Sequence, residues 1–205
     1  VFSLWLGREK FTEEHHRRVL EACEELRASG VRVVFIEGNR EFAAKEWEGR
    51  AFDEVDESVG AEPWAGRRWY LAHGDLLNRE DRINRIFRGI VRSGVVLGLF
   101  SLLPSALGLR LASRIERTLR SRNLKHKTSL PARRLELYAD WFVSRGFDAG
   151  VIGHIHVERR LQLEDAEGRR RELFVLPDWR TARRYLRVPL EGEPRFEAAI
   201  DRAGL

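Results

Sequence analysis

Three short motifs place metal-binding side chains at separate points of the chain: Gly38-Asn39-Arg40-Glu41, His73-Gly74-Asp75 and Gly153-His154-Ile155-His156. Between them they offer one amide oxygen, from Asn39, and three imidazoles, from His73, His154 and His156. That donor set suits borderline divalent ions such as Mn, Fe, Ni or Zn, and no thiolate is involved. A lone histidine near a strand end is more often a hydrogen-bonded structural residue, so each motif alone is weak and the ordered set carries the reading. The pair His154 and His156, separated by one residue, is the most specific part, with a donor for each of two ions.

Each motif directly follows an apolar run, Val31 to Ile36, Trp69 to Ala72 or Ala149 to Ile152. Read as buried strands, these runs put every candidate ligand at or just beyond a strand's carboxyl end, where open α/β sheets keep their chemistry. Thr12 to Ser29 reads as a helix, with Thr12 as cap, Glu13 and Glu14 on the positive end of the dipole, and Gly30 as terminator. Its apolar stripe is Val19, Cys23 and Leu26, which leaves His15 and His16 as expected surface residues. Glu41 to Gly49 suggests a short helix, and Phe52 to Val59 one strand-like element. A second helix, Pro131 to Arg145, presents Leu135, Tyr138 and Phe142 on one face and hands over at Gly146 to the strand of the histidine pair. The alternating segments Arg159 to Leu163, Glu172 to Leu176 and Tyr185 to Val188 predict a second, more antiparallel sheet. Pro177-Asp178-Trp179 reads as a structural turn.

With 205 residues, 43% of them hydrophobic, the chain supports one ordinary domain with a sizeable core. Its single cysteine, Cys23, excludes an intrachain disulfide and any zinc-ribbon spacing. The net charge is +5, from 37 Lys+Arg against 32 Asp+Glu, and most of the cations are Arg. An anionic partner and a merely well-solvated surface both account for it. A nucleic-acid-binding module is the weaker option, since no aromatic-basic RNA motif or helix-turn-helix signature accompanies the charge.

The ordered motifs resemble those of the calcineurin-like metallophosphoesterases, whose blocks run D-x-H, G-D, G-N-[H/R]-[D/E], H-G-D and G-H-x-H. Within that family the chain is most similar to the UDP-2,3-diacylglucosamine hydrolases of lipid A synthesis, on Arg40 after Asn39, on His73-Gly74-Asp75 continuing through Asp81 to Phe87-Arg88, and on the insertion after it. The likeness runs from Gly38 to about Trp179. It implies an α/β (α+β) fold, a β-sandwich flanked by helices, as one domain over residues 1–205 with a helical lid over about 76–130. The D-x-H and G-D blocks do not precede Gly38, and Val1-Phe2-Ser3-Leu4-Trp5 resembles the residues that come after a G-D block in the family. The expectation is therefore a chain without the first strand, in which Asn39, His73 and His154 hold one ion and His156 alone serves the other.

The implied chemistry is metal-assisted hydrolysis of a pyrophosphate, with Mn2+ as cofactor, releasing UMP and 2,3-diacylglucosamine 1-phosphate. Asn39, Arg40, His73 and His154 are the implied catalytic residues, with Arg40 neutralising phosphate charge. The resemblance assigns substrate contacts to Asn39, Arg40, Asp81, Ser121, Asn123, Lys125, Lys127 and His154. It gives Asp75 the task of orienting His73 or its loop, without ligating metal.

Val95 to Leu109 is almost wholly apolar, but Pro104 interrupts it and Arg110 and Arg114 come soon after, so it falls short of the about 20 residues a membrane span needs. Two short helices meeting near Pro104 fit better. They form either a hairpin packed on the core or an oligomer contact, or else a lid giving apolar surface to acyl chains. In the lid reading, Arg88, Arg92, Arg110, Arg114, Arg117 and Arg120 meet anionic headgroups, as in a protein peripheral to the cytoplasmic face of an inner membrane. Two alternatives share the motifs: hydrolysis of another nucleotide diphosphate or a phosphodiester, and a catalytically silent phosphoesterase fold used for binding.

Overall fold

The structure, a computed structural model, describes residues 5–75, 86, 89–90, 92–123 and 132–199. They fall into two compact units, one of Phe2–Glu57 with Asn78–Leu124, the other chiefly of Ser58–Leu77 with Lys125–Leu205.

In the first unit, α1 (Glu14–Ala28) covers a parallel strand pair, β1 (Val34–Ile36) and β2 (Glu54–Asp56). Thr12 does not cap α1, because its hydroxyl donates to the Arg8 carbonyl at 3.0 Å; the helix starts two residues later, with Glu13 in the extended cap position. Gly30 ends it at φ +87°, a left-handed conformation that glycine adopts without steric cost. The buried stripe is His16, Val19, Leu20 and Cys23, spaced i, i+3, i+4, i+7, packed on Trp5, Trp47, Phe52 and Val55, while Leu26 turns out to solvent. His16 is therefore a core residue and not a surface one. Its ring lies 6.0 Å from that of Trp5, tilted by 42°. Burial, reinforced by His15, lowers the His16 pKa to about 4, so the ring is neutral in the folded chain.

The apolar insertion forms α2 (Gly94–Leu102) and α3 (Ser105–Asn123), broken at Pro104 as its residue type demands. Ser93 caps α2 by accepting from the Val96 amide at 3.3 Å. Leu97, Phe100, Leu109 and Ala112 pack on Leu6, Phe11 and Phe42. Gly108 permits the close approach, since a Cβ there would lie 2.3 Å from the Phe11 ring. Lys10 Nζ donates to the Leu103 carbonyl at 3.0 Å and to that of Ser101, closing the carboxyl end of α2. Val95, Leu99, Leu102 and Leu107 face outward. No helix among the described residues is long and apolar enough to cross a membrane.

The second unit is built on a five-stranded mixed sheet of order β3-β4-β5-β7-β6: β3 (Ser58–Trp64), β4 (Arg67–Ala72), β5 (Ala149–His156), β6 (Arg159–Glu164) and β7 (Arg170–Pro177). One face carries α4 (Ala132–Ser144) through Leu135, Ala139 and Phe142. The other carries the antiparallel ribbon of β8 (Arg184–Arg187) and β9 (Arg195–Ala198), with Leu186, Val188 and Phe196 on Trp69, Ala149 and Phe174. The expected separate antiparallel sheet is thus met by Tyr185 to Val188, mostly in β8, and corrected for the segments at 159–163 and 172–176, which join the main sheet. β7 runs parallel to β5 (Ile152 opposite Val175) and antiparallel to β6, which makes it an internal strand. Leu173, Phe174 and Val175, all fully buried, are the continuous apolar run of a strand covered on both faces. The segment Phe52 to Val59 is likewise two strands, β2 and β3, in different sheets. At the end of this sheet remote from the histidines, Glu172 pairs with Arg67 at 2.6 Å and with Arg160 at 2.5 Å.

Candidate metal centre

β4 and β5 lie parallel with Trp69 opposite Ala149 and Ala72 opposite Ile152, so the ladder brings His73 level with Gly153. The Gly153 amide donates to the His73 carbonyl at 3.0 Å, adding one rung beyond β4. A Cβ on Gly153 would stand 3.4 Å from that carbonyl, at van der Waals contact. Gly74, at φ +95°, then turns the chain away and Asp75 is buried.

The next residue of β5 delivers the histidine. His154 Nδ1 lies 3.3 Å from His73 Nε2, with the rings at 70° and centroids 5.2 Å apart. Two nitrogens bound to one ion at about 2.1 Å are about 3.0 Å apart at a right angle and about 3.4 Å at a tetrahedral angle. The observed separation lies in that interval, so the pair fits two ligands of a common divalent ion. One proton shared between the imidazoles fits the same distance, and an ion would take its place.

Both histidines of the motif occupy a strained backbone, His154 at φ +65° and His156 at φ +62°. Residues two apart on a regular strand share one face; the left-handed turns, with a register shift in the β5–β7 ladder between Ile152 and His156, break that alternation. His154 thereby meets His73, while His156 Nδ1 lies 3.6 Å from the Asp178 carboxylate. Strained non-glycine residues persist where the surroundings hold them, and they cluster at functional sites. Asp178 begins the short helix α5 (Trp179–Ala182) and also accepts from the Thr181 hydroxyl at 3.2 Å. Its place beside His156 was missed by reading Pro177-Asp178-Trp179 as a turn. A carboxylate beside an imidazole is placed to orient the ring.

Asn39 and Arg40 belong to the first unit, on a half-buried loop between β1 and the 3-10 turn Ala44–Trp47. The loop is braced by carboxylates: Glu41 accepts from the Gly38 amide at 2.9 Å and Glu37 from the Ala44 amide at 2.7 Å. The Trp5 amide donates to the Arg40 carbonyl at 2.9 Å and the Phe42 amide to the Trp5 carbonyl at 2.9 Å, so the earliest described residue is bonded to the motif. Burial pushes the Glu41 pKa up. Arg92, expected at a headgroup, instead turns inward to this loop and pairs with Glu37 and Glu57.

Asp81, Lys125 and Lys127 lie outside the described residues. Ser121 and Asn123 fall in the last turn of α3, and their side chains lie outside them too. Among the described residues, the grouping of three His, Cys or carboxylate donors within 4.8 Å of one another is Glu13, His15 and His16 at the amino end of α1.

The chain is distantly similar to UDP-2,3-diacylglucosamine hydrolases. The enzyme of that name from Ralstonia nicotianae is 28% identical over 191 residues, covering 87% of this chain and 68% of that one. Those of Yersinia pseudotuberculosis and Yersinia pestis are each 27% identical over 161 residues, covering 76% of this chain and 65% of theirs. The chain thus spans about two thirds of the length of the curated relatives it matches. No protein-family model matches it.

Proposed function

We propose that this chain is the catalytic domain of a calcineurin-like metallophosphoesterase that hydrolyses the pyrophosphate bond of UDP-2,3-diacylglucosamine to UMP and 2,3-diacylglucosamine 1-phosphate. The observation that carries the reading is the 3.3 Å approach of His73 Nε2 to His154 Nδ1 at the carboxyl ends of two parallel strands. The distant similarity to hydrolases of that name supports the substrate.

In this reading Asn39, His73 and His154 hold one ion and His156, steadied by Asp178, contributes to a second. A divalent ion such as Mn2+ bound there supplies Lewis-acid charge to the phosphoryl oxygens and the attacking water. Arg40 neutralises the phosphate with paired hydrogen bonds, which a lysine cannot form. Water adds to one phosphorus, the P–O–P bond breaks, and the second phosphate leaves with the bridging oxygen. Asp81, Ser121, Asn123, Lys125 and Lys127 are the proposed contacts to sugar and diphosphate. The fold in this reading is one sandwich domain over residues 1–205 whose insertion, about 76–130, is the lid. The outward aliphatics Val95, Leu99, Leu102 and Leu107 suit acyl chains and a peripheral position at an anionic inner-membrane surface.

The assay is UMP release by the full-length gene product from UDP-2,3-diacylglucosamine in Mn2+ and in EDTA. Metal-dependent release that His154→Ala abolishes is the expected result. A folded, metal-loaded protein that releases no UMP removes the substrate assignment, and turnover of a plain nucleotide diphosphate in its place redirects it.

A further inference from the structure

Arg92 stands directly before the Ser93 cap of α2 and reaches back more than fifty residues in sequence to the Gly38–Glu41 loop. Its Nη2 donates to the Gly38 carbonyl at 2.9 Å and more weakly to that of Glu41 at 3.4 Å, the first and last residues of the motif. The same nitrogen is 3.5 Å from the Glu37 carboxylate, and Nη1 pairs with Glu57. The guanidinium carbon lies 5.8 Å from the centroid of Phe42, the residue after the motif. Glu37 and Glu41 are both nine-tenths buried, and each braces the loop through a backbone amide. Two buried carboxylates so close in sequence repel unless a cation sits between them, and a buried charge without a partner is costly. Only an arginine offers a planar fork that serves two carbonyls and two carboxylates at once.

We propose that Arg92 is a positioning residue. It fixes the conformation of the loop carrying Asn39 and Arg40, and it ties that conformation to the docking of the apolar helical pair. The proposal rests on the metal-site reading of Asn39 given above. Carboxylates brace the loop from within and Arg92 locks it from the side of the insertion, so undocking α2 releases the loop. Arg92 thus belongs to the site's internal framework, with its charge already committed to the loop.

The test compares the full-length protein with Arg92→Met and Arg92→Lys by amide hydrogen exchange, Mn2+ titration followed by EPR, and steady-state hydrolysis. In Arg92→Met the metal-free protein is expected to exchange residues 38–44 about tenfold faster with residues 173–175 unchanged, and its Mn2+ affinity falls about tenfold, as when the support of a ligand is lost. The kcat falls more than KM rises, because the loop is misplaced and not the substrate surface. Arg92→Lys, which keeps the charge and loses the fork, guards against a folding failure of the methionine variant and stays nearer to it than to wild type. Exchange and affinity like wild type in both variants overturn the proposal, as does faster exchange spread evenly over the whole protein. A wild-type protein that binds no Mn2+ sinks the metal reading instead. Exchange then decides on the loop alone: acceleration confined to residues 38–44 sustains the positioning role, and its absence ends it.

Discussion

Replacing His154 by glycine removes a proposed metal donor and relieves a strained backbone in the same step, whereas replacing it by alanine removes only the donor. At φ +65° a Cβ costs about 1–2 kcal/mol. Glycine offsets about 0.5–1 kcal/mol of this relief through the greater freedom it loses on folding. The metal-free His154→Gly protein should therefore be more stable than His154→Ala by about 0.5–1 kcal/mol, or about 1–4 °C in Tm for a chain of this size. Mn2+ at a hundredfold excess over its Kd should raise wild-type stability by about 2.7 kcal/mol and neither variant by a comparable amount. Thermal melts in EDTA and in Mn2+ read both effects. A glycine variant no more stable than the alanine variant in EDTA refutes the strain at His154. Equal stabilisation of all three proteins by Mn2+ refutes the role of His154 as a ligand.

Acid should act through His16, whose folded pKa of about 4 lies below its ordinary 6.5. The depressed value means full stability above about pH 6.5 and a progressive loss as pH falls toward 4, with a ceiling of about 3 kcal/mol. His16→Leu should flatten urea midpoints across that window, and an unchanged slope counts against it. Glu172→Ala leaves Arg67 and Arg160 facing each other at a buried position and should cost about 2–3 kcal/mol, read as a lower urea midpoint; a cost below about 0.5 kcal/mol is the contrary result. Gly108→Ala forces α3 off the Phe11 ring and should cost about 1–3 kcal/mol by the same measurement, whereas Gly98→Ala, with open space around its Cα, should be neutral or stabilising.

The strands under all three motifs were legible because each is a short apolar run closed by a glycine-containing motif, and the break at Pro104 was legible because proline has no amide to donate. What failed to show needed tertiary partners. His16 looks polar and terminal in sequence, yet it is buried beside Trp5. β7 reads as an alternating edge strand until β5 pairs with its other side. β9, Arg195–Ala198, has too few apolar residues to stand out and exists through its pairing with β8. In the candidate site the residue types and order were readable, but the His73–His154 distance, the left-handed turns and Asp178 beside His156 were not, because a parallel ladder and a register shift create them. Arg92 looked like one more surface arginine, since nothing near it in sequence announces two buried carboxylates more than fifty residues away.

The most direct test of the site is anomalous diffraction at the manganese edge from crystals of the full-length protein grown in Mn2+. The account predicts a peak about 2.1–2.3 Å from both His73 Nε2 and His154 Nδ1 that is lost on His154→Ala. Manganese seated at Glu13, His15 and His16 with none between His73 and His154 would contradict it.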